Sequence, residues 1–151
     1  MDIFETTLPG HVVSTDVSRI QIDDLHDFLD QHSTWARGIP RETVGRAIAH
    51  SLNFGMYEDD DAARMVAFCR IVTDYATFGN LVDVFVAPDR RGRGLSKLLM
   101  SAVMAHPIVS GLRRFTLATN DAHSLYAKYG FTPLNSPETF MEIYRPGIYR
   151  T

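Results

Sequence analysis

Apolar positions recur along this chain at two spacings, and the changes between them mark its predicted elements. "HVVSTD" (11–16) reads as a first short strand. From Asp23, "DDLHDFLDQH" places Leu25, Phe28 and Leu29 at helical spacing, with acids in the first turn, where the helix dipole favours them. "WARGIP" interrupts that pattern. Pro40 then suits the first turn of a second helix, which carries Val44, Ala47 and Ile48 on one face. "LNFGMY" (52–57) and "RMVAFCRIV" (64–72) predict two strands around an acidic "EDDDA" turn. "LVDVFVAP" (81–88) is the most apolar run and predicts a central strand. Beyond it, Leu95, Leu98, Leu99, Ala102 and Val103 form an amphipathic stripe, which Pro107 and Gly111 bring to an end in a turn. "RRFTLAT" (113–119) predicts a strand and "DAHSLYAKYG" (121–130) a helix closed by Gly130. "FTPL" and "TFMEIYR" predict the final strands. Residues 3–9 and the tail after Pro146 carry only a weak pattern.

This order predicts a mixed α/β fold, with helices packed on a central sheet. A chain of 151 residues without repeats, low-complexity tracts or an obvious linker is expected to form one domain over 1–151. The net charge of −3 argues against a dedicated nucleic-acid binder, which draws its affinity from a basic excess. The lone Cys69 excludes an internal disulfide and reads as a small buried hydrophobe. The N-terminus lacks the basic-then-apolar pattern of a signal peptide, and no apolar run reaches membrane-spanning length. The expected location is therefore the cytoplasm, with no membrane partner. The histidines show no ligand spacing, so no metal is expected.

The chemistry concentrates in "DRRGRGLSKLL" (89–99), where a strand passes through a glycine turn into a helix. A helix begun by such a turn presents unpaired N–H groups and the positive end of its dipole, a ready anion site. Gly92 and Gly94 remove side chains that would block an anion's approach, and Arg90, Arg91 and Arg93 raise the local positive potential. A dinucleotide fingerprint needs a third glycine, and a Walker loop needs G-x-x-x-x-G-K-S/T; neither is present. A pyrophosphate cradle and a solvated basic loop both remain open on these residues alone.

Arg91-Gly92-Arg93-Gly94-Leu95-Ser96 resembles the acyl-CoA-binding signature of the GNAT superfamily of N-acetyltransferases, R/Q-x-x-G-x-G/A, and follows a strand ending in Val-Ala-Pro. About 30 residues on, "NDAHSLYAKYGF" (120–131) resembles the family's second hallmark, in which Y-x-x-x-G-F closes a helix. The resemblance covers about 80–146, and Ser96 departs from it by standing where the family has Gly or Ala. It implies a central mixed sheet flanked by helices, with splayed parallel strands holding acyl-CoA, and direct acetyl transfer from acetyl-CoA to an amine. Carried over by position, the N–H groups of Arg91 to Ser96 would hold the pyrophosphate, and the main chain of Phe85 and Val86 the pantetheine arm. Asn120 resembles the family's pantetheine-side asparagine, one place closer to the tyrosine than usual. Tyr126, first residue of Y-x-x-x-G-F, matches the general acid that protonates the departing thiolate; a helix-packing role is the plainer alternative.

Amine acylation needs a proton acceptor. Asp83 interrupts "LVDVFV", where a buried carboxylate is costly unless paired or set at a cavity, so it reads either as a base or as a structural hydrogen-bonding group. His123 reads as a surface residue. For the acceptor, Trp35 offers an aromatic wall, Arg37 a partner for a carboxylate, and Tyr75 a contact beside the site. Core anchoring, a solvated charge and edge packing are their respective alternatives. The expected acceptor is a small-molecule amine, and a homodimer is compatible with the resemblance. An acyl-CoA sensor without turnover, or a transferase of a longer acyl group, are the rival functions.

Overall fold

The computed structural model describes residues 2–150. One six-stranded sheet runs in the order β1 (Glu5–Leu8), β2 (His11–Ser14), β3 (Leu52–Glu58), β4 (Met65–Thr73), β5 (Phe78–Val86) and β6 (Arg114–Leu117). The first five strands pair antiparallel, and β6 joins β5 in parallel. Between β2 and β3 lie α1 (Ile22–Asp27), which widens into a π-turn over Phe28–His32, and α2 (Arg41–Ala49). The crossover from β5 to β6 is made by α3 (Leu95–Ala105) and α4 (Pro107–Gly111), and α5 (His123–Ala127) follows β6.

Two apolar clusters cover the two faces of this sheet. Leu95, Leu99, Met100 and Val103 of α3 pack with Phe54, Val66 and Ile71 in the larger one. Leu25, Phe28, Val44 and Ile48 from the first helices pack on Phe68 and Phe85 in the smaller. The near-continuous burial of β3 and β4 follows from this double coverage, because both alternating faces of each strand meet helices.

Several sequence expectations are corrected. Residues 3–9 do contain a strand, since β1 closes a tight hairpin on β2. The helix with the apolar stripe ends at Ala105, ahead of Pro107 as expected, but where a turn is expected Pro107 opens α4, its ring preset for the first turn while His106 Nδ1 accepts the Ile108 N–H at 3.1 Å. β5 begins at Phe78, three residues before the apolar run. The expected final strands at "FTPL" and "TFMEIYR" do not form among the described residues. Pro133 and Pro137 remove two donors from that segment, a 3₁₀ turn occupies Pro137–Thr139, and the main chain beyond it finds no strand to pair with.

Candidate active site

The parallel pairing of β5 and β6 stops at Leu81 opposite Leu117. β6 ends there, while β5 continues to Val86 against β4 alone, which leaves the other edge of β5 unpaired from Val82 onward. That unpaired stretch begins with a bulge. Between the pairs Phe68–Phe85 and Arg70–Val82, β5 holds one residue more than β4, and Asp83 takes a left-handed φ of 55°. A non-glycine residue in that region costs free energy that its surroundings must offset. Here they do so through the side chain. Trp35 Nε1–H donates to Asp83 Oδ1 at 2.7 Å, and Arg70 Nε–H donates to Oδ2 at 2.7 Å. Arg70 also donates to Ser51 Oγ at 3.0 Å. The ion pair is largely buried, the side chains being 10% exposed for Asp83 and 18% for Arg70. Arg70 is the only charge inside β4, and that isolation was the sequence signal for a partner across the sheet.

Downstream of β5, a 3₁₀ turn over Pro88–Arg90 leads to the glycine turn and α3. Gly92 has φ 79° and Gly94, the residue that caps α3, φ 74°. No heavy atom lies within 4 Å of where a Cβ on either would sit, so conformation rather than crowding requires glycine there, and the space in front is open. No side chain caps α3, so its first N–H groups face that space unpaired. The arginines divide by role. Arg90 is held by Glu58 at 3.1 Å and Asp89 at 3.0 Å, while Arg64 grips Asp89 with two 2.8 Å bonds. The Arg64 guanidinium holds the Asp89 carboxyl down at about 2. Arg91 and Arg93 have no carboxylate partner among the described residues, which leaves their charge for an anion.

A cavity of about 340 Å³ sits between the C-terminal end of β5 and the first helices, lined by Trp35, Phe85, Val86, Arg91 and Ser96. Phe28, His32 and Thr34 complete it, with Phe28 stacked on Phe85 at 3.8 Å between ring centroids. Sequence reasoning missed these three; Phe28 carried only the helical spacing of a core residue. Trp35 is half-exposed on the cavity wall, so the core-anchor alternative does not hold. Val86 departs from expectation in one respect: its carbonyl already accepts a 3.2 Å hydrogen bond from Arg91 Nε.

Other expected residues lie elsewhere. Tyr75 is in the β4–β5 hairpin, at the opposite end of β5 from the cavity, and packs against the larger cluster at a left-handed φ of 65°. Its sequence proximity to β5 concealed the length of strand between them. Arg37 is exposed and lines no part of the cavity. Asn120 is exposed just past the C-terminal end of β6. Tyr126, on α5, is buried in the larger cluster and does not line the cavity, its ring set edge-on to Phe131 at 6.0 Å. Burial foremost, then the neighbouring Cys69 and Asp121, raises its phenol above the usual tyrosine value. The phenol is therefore protonated at neutral pH, and no hydrogen bond among the described residues consumes its proton.

A bulged strand that runs past the end of its parallel neighbour, next to an uncapped helix behind a double glycine turn, forms a distinctive combination. The model of the acetyltransferase (GNAT) domain matches residues 50–133, a span that holds the bulge, the glycine turn and α5. The chain belongs to the GNAT acetyltransferase family. A crystal structure of a GNAT-family protein from Xanthomonas campestris pv. campestris superposes with a TM-score of 0.90 at 56% identity, covering 96% of this chain and 100% of that one. A Gibberella zeae relative with a provisional acetyltransferase name is 29% identical over 142 residues, covering 81% of this chain and 78% of its own length. An uncharacterized N-acetyltransferase of Porphyra purpurea is 27% identical over 128 residues, covering 80% of this chain and 70% of that protein. GNAT membership agrees with the mixed sheet and its flanking helices.

No group of three or more His, Cys, Asp or Glu side chains is placed to hold a metal ion among the described residues. No helix among them is long and apolar enough to cross a membrane.

Proposed function

We propose that this GNAT protein transfers the acetyl group of acetyl-CoA directly to the primary amine of a small molecule. The observation that carries the reading is the edge of β5 left unpaired beyond Leu81, bulged at Asp83 and leading into the open glycine turn of α3. In this reading the N–H groups from Arg91 to Ser96 hold the pyrophosphate, with the unpaired Arg91 and Arg93 alongside. The exposed edge of β5 beyond Leu81, including the Phe85 main chain, bonds the pantetheine arm as a short added strand. The Val86 carbonyl joins only if Arg91 swings from it onto phosphate, which gives that arginine a role on both sides of binding.

The amine nitrogen attacks the thioester carbonyl carbon, the C–S bond breaks, and the sulfur leaves with the electron pair. Tyr126 donates its proton to that sulfur, the amine loses its own proton to solvent, and solvent returns one to the phenolate. A positioned acid of this kind contributes on the order of 10²–10⁴-fold. Of the two roles open to Asp83, the structural one is favoured, because both of its oxygens are already engaged. Trp35 ties the same carboxylate to the loop before α2 and offers its exposed face to the acceptor. Arg37 and Tyr75 lie outside the cavity and have no part in this proposal.

The test is release of free CoA thiol when the protein is given acetyl-CoA and a panel of small amines. Turnover with at least one amine, lost in Tyr126→Phe, is expected. Saturable acetyl-CoA binding with no turnover across the panel would favour the sensor reading, which the absence of Tyr126 from the cavity lining keeps in view.

A further inference from the structure

The cavity beside β5 has a wall whose composition narrows the choice of acceptor. Its aromatic rings come from three stretches of chain. Phe28 stacks on Phe85 with planes 16° apart, and the Trp35 ring stands 6.2 Å from that of Phe28 between centroids. The π-turn over Phe28–His32 brings both of its end residues onto this wall. Phe28 and Phe85 are buried behind it, whereas Trp35 is 49% exposed. The Trp35 ring is also fixed. Its one donor is spent on Asp83, and its loop is pinned where the Ala36 N–H donates to Ser33 Oγ at 3.0 Å and the Gly38 N–H to Asp30 Oδ1 at 2.8 Å. A large ring held in place half in water gains apolar burial from a ligand at little further cost in ordering. Charge points the same way. No Asp or Glu lines the cavity among the described residues. Asp83 is engaged at both oxygens, and Asp27, 3.7 Å from His32, is not on the wall. A second ammonium of a polyamine therefore meets no carboxylate. The side-chain hydroxyls of the wall are those of Thr34 and Ser96, so a sugar leaves most of its own unpaired. The volume of about 340 Å³ is at the small end of ligand sites, roughly 300–1,000 Å³, and suits one ring system.

We propose that the acceptor is an arylalkylamine, an aromatic ring lying against Trp35 and joined by a short chain to the primary amine that is acetylated. This inference rests on the acetyl-transfer reading and names the substrate class of that same site. The ligand ring covers the exposed Trp35 face, offset or edge-on, at a centroid separation of ~4.5–7 Å. Aromatic faces also attract the ammonium that the amine carries before it gives up its proton. Acetylation turns that group into an uncharged amide, with the CoA thiol as the other product, and the attraction is lost as the product forms. Trp35 is thereby a specificity-determining residue, and Asp83 is the residue that positions it. The Asp83 carboxylate sets the angle of the indole ring through Nε1–H and does not itself touch the acceptor.

Trp35 is the one tryptophan of the chain, so its fluorescence reports on the site without any chemistry taking place. With CoA present, phenethylamine should change that emission saturably, while spermidine and glucosamine leave it unchanged over the same range. No response to phenethylamine, or an equal response to spermidine, would overturn the proposal. Thiol release from acetyl-CoA should then give a kcat/KM about 100-fold higher for phenethylamine than for the other two amines. Equal values would overturn the aryl preference and leave acetyl transfer standing. The fluorescence response without turnover of any amine would do the opposite, keeping the aryl site and removing the transfer reading. Trp35→Ala should cut the preference by about tenfold, through KM rather than kcat, because one aromatic pair is lost. Trp35→Phe keeps an aromatic face and should restore most of it. An unchanged preference in folded Trp35→Ala would overturn the assignment.

Discussion

Both carboxylate oxygens of Asp83 are engaged, and this changes what its substitution should do. Removing one member of a buried ion pair leaves the other uncompensated, at a cost of roughly 3–5 kcal/mol. Asp83→Ala should therefore lower the thermal midpoint markedly, with Arg70 stranded in β4. A variant as stable as the parent but inactive would return Asp83 to the role of base. Tyr126→Phe should do the reverse, leaving stability and acetyl-CoA affinity nearly intact while kcat falls by about 10²–10⁴-fold. An unchanged kcat would remove Tyr126 as the acid. The sequence showed that a carboxylate in "LVDVFV" needed an explanation, but not which one. Arg70 lies 13 residues away and is brought in by strand register, and Trp35 lies 48 residues away on the loop before α2.

At the level of elements, local signals were legible where the chain itself enforces them. The glycine turn before α3 needs positive φ at Gly92 and Gly94, and the apolar stripe that follows was enough to set the helix. The strand at "TFMEIYR" failed for a related reason: side-chain pattern states only a capacity to pair, and no edge within the described chain meets it. Likewise Pro107 follows the end of α3 and also starts α4, and the second role is hidden in the sequence because the deciding partner is the side chain of His106. That partner yields a prediction with a definite sign. Burial lowers the His106 pKa below 6.5, and its neutral Nδ1 accepts the Ile108 N–H. A depressed folded value means that stability is present above pH 6.5 and is lost as pH falls through the unfolded value. Urea midpoints should drop from pH 7 to pH 5 by more in the parent than in His106→Asn, which keeps an acceptor without titrating. Equal drops in both would show that the cap does not respond to protonation.

For the molecule as a whole, buried phenols tie stability to alkaline pH. Burial pushes Tyr57 up to about 12 from a usual 10, against the opposing pull of Arg19, whose guanidinium lies 4.4 Å from its ring centroid. A raised folded value contributes stability below pH 10 that is lost as pH rises towards 12, about 3 kcal/mol for two units. Tyr57→Phe should flatten the fall in thermal midpoint between pH 10 and 12; an unchanged fall would assign it to other groups. The global architecture was readable from the order of elements, since strands alternating with helices leave few arrangements of one mixed sheet. What lay beyond reading was the geometry of the cavity. Its walls come from four separate stretches, around Phe28, Trp35, Phe85 and Ser96, and no periodicity within any of them announces the others.

The claim on which the functional account turns is that the turn before α3 binds the pyrophosphate of acetyl-CoA. Calorimetric titration of the protein and of Gly94→Asp with acetyl-CoA, in low and high salt, tests it most directly. The account predicts saturable one-to-one binding to the parent that persists in high salt, and none to the variant, where an acidic side chain fills the space in front of the helix. Equal affinity in the two proteins, with both folded, would contradict it and place the pyrophosphate elsewhere.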